Sequence, residues 1–344
     1  MGVKAVALLS GGLDSTLAVK MMIEQGVEVY ALNFTSAFCT CNSGGKHRDG
    51  SQMEGGGCRS ESRRVAGEFG IPIKVMVKGM DYIEIVRNPS YGYGKGMNPC
   101  VDCRIYMFRR ASEYMKEIGA SFIITGEVLG QRPMSQRRDA FRTIEKDSGL
   151  EGLILRPLCA KHLPPTIPEL TGLVDRERLL AVSGRSRKPQ MEAAEELDVR
   201  DYPCPSGGCL LTEKLFSKKV KDLLTHKKEI EKTDLALLKL GRHFRYNGVK
   251  VIVGRDEAEN IKLKNMMREA DSFIEPLDFP GPAALVTGDP ENGIRSFAGG
   301  LILRYAASKA RGRGLLKATR NGASEEFEVS GPVPDAVIEG SRVC

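Results

Sequence analysis

The sequence predicts an α/β fold: a parallel sheet with helices on both faces, followed by a smaller α+β domain. Three observations predict it. Over residues 3–158, short apolar runs alternate with stretches of helical period, the rhythm of successive βαβ units. A glycine-rich stretch, Ser10-Gly11-Gly12-Leu13-Asp14-Ser15, stands where the first apolar run meets the first helical one. Beyond about residue 213 the rhythm changes to hairpins, one of them turning on Asn247-Gly248, a strong two-residue turn signal.

In chain order, residues 3–9 predict a buried strand, 14–24 a helix and 27–34 a second strand. A Gly/Ser/Cys-rich loop follows, then a helix over 59–69 and a third strand over 71–77. Residues 101–118 carry Ile105, Phe108, Ala111, Tyr114, Met115 and Ile118 at helical spacing. Residues 120–125 predict a fourth strand, closed by Gly126, and 152–158 a fifth. Residues 159–212 predict a helical extension, with short helices in "VDRERLLAVSG" and "PQMEAAEELDV" and a final irregular loop, "DYPCPSGGCLLT". The first domain therefore spans 1–212 and the second 213–344. In the second, a Lys-rich helix (213–231) precedes the Asn247-Gly248 hairpin. A helix over 256–269, the strand "PAALVTG", a helix over 293–310 and a last hairpin follow. In parallel sheets ligands sit at the carboxyl ends of the strands. The loops there are 10–15, 33–58, 98–104 and 125–136, and they hold every chemically unusual stretch of the first domain.

Composition narrows the class. The chain has 344 residues, 41% hydrophobic and 28% charged, as soluble globular proteins have. No apolar run approaches a membrane span, and residues 3–9 are too short for a secretory leader, so a cytoplasmic, membrane-free protein is expected. Fifty-one basic against 44 acidic residues give a net charge of +7, which permits a polyanionic partner without demanding one. The nine cysteines are clustered: Cys39/Cys41/Cys58, Cys100/Cys103 and Cys204/Cys209. In a reducing compartment such clusters point to metal or redox chemistry rather than disulfides. Cys159 and Cys344 stand alone, and His162, His226 and His243 have no metal spacing with one another.

The stretch at 10–15 has the makings of an anion cradle. Free N–H groups at a helix N-terminus attract phosphate. Gly11 and Gly12 allow close backbone approach, and Ser10 and Ser15 add hydroxyl donors. Asp14 would repel phosphate by itself, so it serves through Mg²⁺ or as a helix cap. The Lys-Ser/Thr ending of a Walker loop is missing. "NPCVDCRIYM" places Cys100 and Cys103 at a helix start, where a thiolate is stabilised. With Cys204 or Cys209, three arrangements are open: a persulfide relay, an iron–sulfur cluster on three cysteines, or a four-cysteine zinc site. Cys39, Cys41, His47 and Cys58 predict either zinc binding or a flexible active-site loop.

"SGGLDS" resembles the signature of the PP-loop ATP pyrophosphatases. That resemblance implies that Ser10, Gly11, Gly12, Asp14 and Ser15 bind the pyrophosphate part of ATP, with Leu32, Asn33 and Phe34 near adenine. It also implies adenylation of a substrate oxygen, with AMP and pyrophosphate as products. "TGEVLGQRPMSQ" (125–136) and "LILRPL" (153–158) resemble 4-thiouridine synthetase, and "NPCVDC" with "SGGCLL" resembles the tRNA 2-thiouridylases. The implied reaction is ATP-dependent thiolation of a tRNA uridine. Gly126 and Gln131 are expected at the nucleotide, and Arg104, Ser135 and Gln136 at the substrate. Cys100 stands where many thiolases have Asp, as in the cluster-dependent enzymes. That match implies a [4Fe–4S] cluster on Cys100, Cys103 and Cys209, with Cys204 the alternate ligand and Asp14, Cys100, Cys103 and Cys209 catalytic. A Cys persulfide relay with structural zinc is the alternative, as is a PP-loop ligase or amidotransferase acting on a small molecule. The sulfur donor is expected to be sulfide or a cysteine desulfurase system. "LGRHFRYNGVKVIVGRDEAENIKL" resembles the NFACT RNA-binding domain, which implies that the second domain binds tRNA.

Overall fold

The computed structural model describes residues 2–39, 58–202, 208–288, 293–306 and 312–344. The chain divides into two compact units, Met1–Thr212 and Glu213–Cys344.

The first unit is built on five parallel strands: β1 (Lys4–Leu8), β2 (Glu28–Thr35), β3 (Ile73–Val77), β4 (Phe122–Thr125) and β5 (Ile154–Leu155), in the order β3-β2-β1-β4-β5. The helices are α1 (Leu13–Glu24), α2 (Cys58–Glu68), α3 (Met80–Arg87), α4 (Cys100–Glu117), α5 (Arg138–Ser148), α6 (Ile167–Leu170) and α7 (Lys188–Glu196). Successive residues of a strand face opposite sides, and β1 is apolar on both. Ala5, Ala7 and Leu9 pack in a core with Leu13, Leu17 and Met21 of α1. Val6 and Leu8 pack in a second core with Ile105, Phe108 and Ala111 of α4. A fully buried Leu, Ile or Phe contributes about 1.5–3 kcal/mol by leaving water, so these two layers fix the strand order. The order reverses direction at β1/β4, where ligands sit in open α/β sheets.

Two expectations are corrected. "VDRERLLAVSG" forms only a 3₁₀ turn at Arg176–Arg178, because Arg176 reaches away to Glu169 and to the Ala160 and Leu163 carbonyls. Residues 138–148, expected to carry no element, form α5, which buries Ala140, Phe141 and Ile144 at helical spacing.

The second unit holds α8 (Lys214–His226), α9 (Lys232–Leu237), β6 (Arg242–Tyr246), β7 (Val249–Val253), α10 (Glu257–Asn265), β8 (Ser272–Pro276), β9 (Ala284–Thr287), α11 (Ile294–Tyr305), β10 (Gly314–Arg320), β11 (Ala323–Val329) and α12 (Asp335–Ser341). Its sheet is antiparallel, in the order β11-β10-β8-β9-β7-β6. Asn247 (φ 46°) and Gly248 (φ 80°) are both left-handed, as a tight hairpin with the sheet's own twist requires. Phe297, Leu301 and Ile302 of α11 cover one face. Leu237, Leu240 and Leu263 cover part of the other.

Among the described residues, no helix is long and apolar enough to cross a membrane.

Candidate active site

The glycine-rich loop joins β1 to α1 at the carboxyl edge of the sheet. The Ser10 N–H donates to Ser15 Oγ (3.2 Å), the Gly12 N–H to Ser10 Oγ (3.3 Å), and Ser15 Oγ to the Gly12 carbonyl (2.9 Å). The loop thus ties itself into a small ring, while its helix N-cap, Gly12, supplies no side-chain cap. Uncapped N–H groups at a helix start are the donors an anion uses. Gly11 is glycine for two reasons. Its φ is +78°, and a Cβ there would lie 2.5 Å from the Glu61 Cβ. Gly126 closes β4 against α1, where a Cβ would fall 2.5 Å from the Asp14 carbonyl.

Asp14 caps nothing. Its Oδ2 accepts from Gln131 Nε2 at 2.9 Å, and its Oδ1 is buried with no hydrogen-bond partner. A buried lone carboxylate oxygen is costly and is what a Mg²⁺ beside ATP would satisfy, so the residues present fit that ion. Asn33 donates to the Leu9 carbonyl (2.8 Å), and its own Oδ1 is buried without a partner. The side chains of Leu32 and Phe34 lie in the α4 core. Ser135 and Gln136 are each only 2% exposed, so they shape the 126–136 loop from within. Arg104 is held by buried Glu127 (3.2 Å), which also pairs with buried Arg156 (3.2 Å).

The thiols gather at the same edge. Asp102 of α4 accepts from the Ser90 and Tyr91 N–H groups (2.8 and 3.2 Å), which binds the loop before α4 to the helix. Lys78, directly after β3, donates to Cys103 Sγ at 2.9 Å. Its ammonium also lies 4.7 Å from the Tyr82 ring centre. Burial alone would raise the Cys103 thiol. The Lys78 charge and hydrogen bonds from Lys78 and Tyr82 outweigh it and hold Cys103 below the ordinary thiol value. Cys100 goes the other way: burial and the neighbouring Cys103 raise it, so the helix start does not make it the thiolate. Burial pushes Cys209 up to about 11. Burial also raises Cys159 to about 11. Its sulfur donates to the Glu127 carbonyl (3.3 Å) inside the core.

Arg132 links the two halves. Burial and Arg104 depress its guanidinium, while Cys100, Glu127 and Asp14 act in the opposite sense. Arg132 thus lies within electrostatic reach of both Asp14 and Cys100.

Two participants were not legible in the sequence. Lys78 gave no signal beyond its place at the end of a predicted strand. Cys39 was grouped with Cys41, His47 and Cys58, yet it pairs in an antiparallel bridge with Cys209. Cys41, His47, the Cys58 side chain and Cys204 lie outside the described residues. Among the described residues, no three His, Cys, Asp or Glu side chains stand close enough together to hold a metal ion. Of the three expected cluster ligands, Cys103 is engaged by Lys78 in this structure.

Two family models match the chain, one within each unit. Residues 2–162 match the family described as thiamine biosynthesis protein (ThiI). Residues 241–339 match the NFACT protein RNA binding domain. The tRNA-specific 2-thiouridylase MnmA of Bartonella quintana is 29% identical over 150 residues, 42% of this chain and 36% of that protein. The corresponding Clostridium acetobutylicum protein is 32% identical over 142 residues, 37% of this chain and 36% of that protein. The chain thus spans little more than a third of the length of these curated relatives. A crystal structure of a 4-thiouridine synthetase–RNA complex with bound ATP superposes with a TM-score of 0.38 and 21% identity, covering 69% of this chain and 52% of that one. Residues 2–162 are thus similar to the ThiI family, and residues 241–339 to the NFACT RNA-binding domain.

Proposed function

We propose that the protein is an ATP-dependent tRNA sulfurtransferase that replaces a uridine carbonyl oxygen by sulfur. The observation that carries this reading is the convergence of an anion-binding loop and a stabilised thiolate on one sheet edge. Cys103, held by Lys78, supplies the nucleophilic sulfur, and the ring-tied loop at 10–15 supplies the place for phosphates. Similarity to 2-thiouridylases over the first unit and to an RNA-binding domain over the second supports the substrate class.

In this mechanism the triphosphate docks on the N-terminus of α1. Asp14 is the residue that would hold Mg²⁺, which when bound offsets charge on the phosphates. The uridine oxygen attacks the α-phosphorus and pyrophosphate leaves. Arg132 and Arg104 face the charge that develops between loop and thiols. A persulfide on Cys103 attacks the activated carbon through its outer sulfur, and AMP departs. Cys209 then attacks the inner sulfur, the S–S bond to the RNA breaks, and a thiocarbonyl and a Cys103–Cys209 disulfide remain. The alternative carrier, a [4Fe–4S] cluster on Cys100, Cys103 and Cys209, is separated by anaerobic reconstitution with iron and sulfide assays.

The test of the reading is AMP and pyrophosphate release by the full chain, with and without bulk tRNA. Release that requires tRNA is expected. Release that ignores tRNA but requires a small amine or acid would replace this reading with a PP-loop ligase.

A further inference from the structure

Cys39 belongs to the thiol site by backbone geometry. It follows β2 at the carboxyl edge and pairs with Cys209 across an antiparallel bridge. The Leu210 N–H donates to the Phe38 carbonyl at 2.9 Å, so the ladder bond runs through the residues flanking the pair. Cys39 and Cys209 therefore face each other as a non-hydrogen-bonded pair. Such pairs have Cα atoms about 4.5 Å apart, with side chains on the same side of the ribbon. A disulfide accepts Cα separations of about 4.4–6.8 Å, so this pair closes one with small side-chain rotations. The Cys39 sulfur accepts the Ser36 N–H (3.1 Å) and lies 3.4 Å from Ser36 Oγ. Both are donors suited to a thiolate. The Cys209 thiol donates to the Phe38 carbonyl (3.6 Å), which keeps its sulfur beside the same strand.

We propose that Cys39 is the thiol that resets the site, by exchange with the Cys103–Cys209 disulfide left after sulfur delivery. This rests on the sulfurtransferase reading above. The Cys39 thiol loses its proton to water and its sulfur attacks Cys209 Sγ. The S39–S209 bond forms, the S103–S209 bond breaks, and the electron pair leaves on Cys103, beside the Lys78 ammonium. Exchange conserves the oxidation level, so no oxidant is needed. An external dithiol then reduces the Cys39–Cys209 disulfide and returns all three thiols. The better-stabilised thiolate is the better leaving group, so the exchange runs towards free Cys103. The sulfur carrier is thereby released from its disulfide before any reductant arrives.

Two measurements test this on the full chain. In the first, the protein is equilibrated in glutathione redox buffers, blocked with an alkylating reagent and mapped by non-reducing mass spectrometry. A Cys39–Cys209 peptide with alkylated Cys103 is expected. Cys209 joined instead to Cys103, Cys41, Cys58 or Cys204, or Cys39 alkylated throughout, overturns the proposal. In the second, protein persulfidated at Cys103 makes one turnover with ATP and tRNA without reductant. Wild type should end as Cys39–Cys209. Cys39→Ser should end trapped as Cys103–Cys209, with normal first-turnover yield. A thionucleoside formed with no Cys39–Cys209 link defeats the inference and leaves the sulfurtransferase reading standing. A Cys39–Cys209 link in glutathione with no thionucleoside under any condition defeats that reading, and the resetting role with it.

Discussion

Replacing Lys78 by Met removes the cation that makes Cys103 the reactive sulfur. The ammonium sits 2.9 Å from Cys103 Sγ, and a hydrogen bond to a charged group is worth about 1.5–3 kcal/mol. Each 1.4 kcal/mol is about a factor of ten in the thiolate population, so at neutral pH Cys103 should alkylate about 10 to 100 times more slowly in Lys78→Met. The sign follows from the cause: Lys78 lowers the Cys103 thiol, so its loss moves the alkylation profile to higher pH. Lys78→Arg keeps the charge and should restore most of the reactivity. The assay is iodoacetamide labelling across a pH series, read at the Cys103 peptide, with Cys159 as an internal control buried in the core. Unchanged Cys103 profiles in Lys78→Met would refute the assignment of the reactive thiolate.

Other outcomes follow from the same geometry. Gly11→Ala places a Cβ 2.5 Å from Glu61 in a backbone conformation with φ +78°. It should cost at least about 1–3 kcal/mol and abolish ATP binding measured by calorimetry, whereas Gly26→Ala, with open space around it, should leave ATP binding intact. In the second unit, burial raises Asp222, but Arg245 (2.6 Å) and Lys250 (3.0 Å) outweigh it and hold it down to about 2. The folded form therefore gives up this proton more readily than the unfolded form. The resulting stabilisation, roughly 2 kcal/mol, is complete above the ordinary carboxyl range and lost as pH falls towards about 2. Asp222→Asn should flatten that acid limb in urea unfolding curves. Lys214, Lys218 and Lys221 are exposed on α8. If they contact RNA phosphates, alanine at all three lowers the salt dependence of tRNA binding by about 0.7–0.9 per lost contact. An unchanged salt slope would mark α8 as a solvated helix.

The parallel sheet was legible because β1 is apolar on both faces, which a strand buried between two helical layers must be. The glycine-rich turn between β1 and α1 was legible because its glycines stand at a strand–helix junction, a local arrangement. α5 was within reach of the sequence, since Ala140, Phe141 and Ile144 stand at helical spacing. The difference between Cys100 and Cys103, by contrast, was hidden. The sequence sets both at one helix start, but Lys78, directly after β3, lowers only Cys103, and sequence spacing carries no sign of that contact. The pairing of Cys39 with Cys209 is likewise a product of the fold, joining the end of β2 to a loop far along the chain. Leu32, Asn33 and Phe34 were expected near adenine from the PP-loop resemblance alone. The Leu32 and Phe34 side chains point into the core, while Asn33 between them keeps an unmet buried acceptor.

The most direct test of the central claim is nucleoside mass spectrometry of tRNA after reaction with the full chain, ATP and a persulfide donor, alongside the Cys103→Ser variant. The account predicts an ATP-dependent thiouridine from wild type, with one AMP formed for each thiouridine. It predicts that Cys103→Ser still adenylates the RNA but forms no thiouridine. Equal thiouridine from wild type and Cys103→Ser, or AMP release with no thionucleoside at any level of donor, would contradict it.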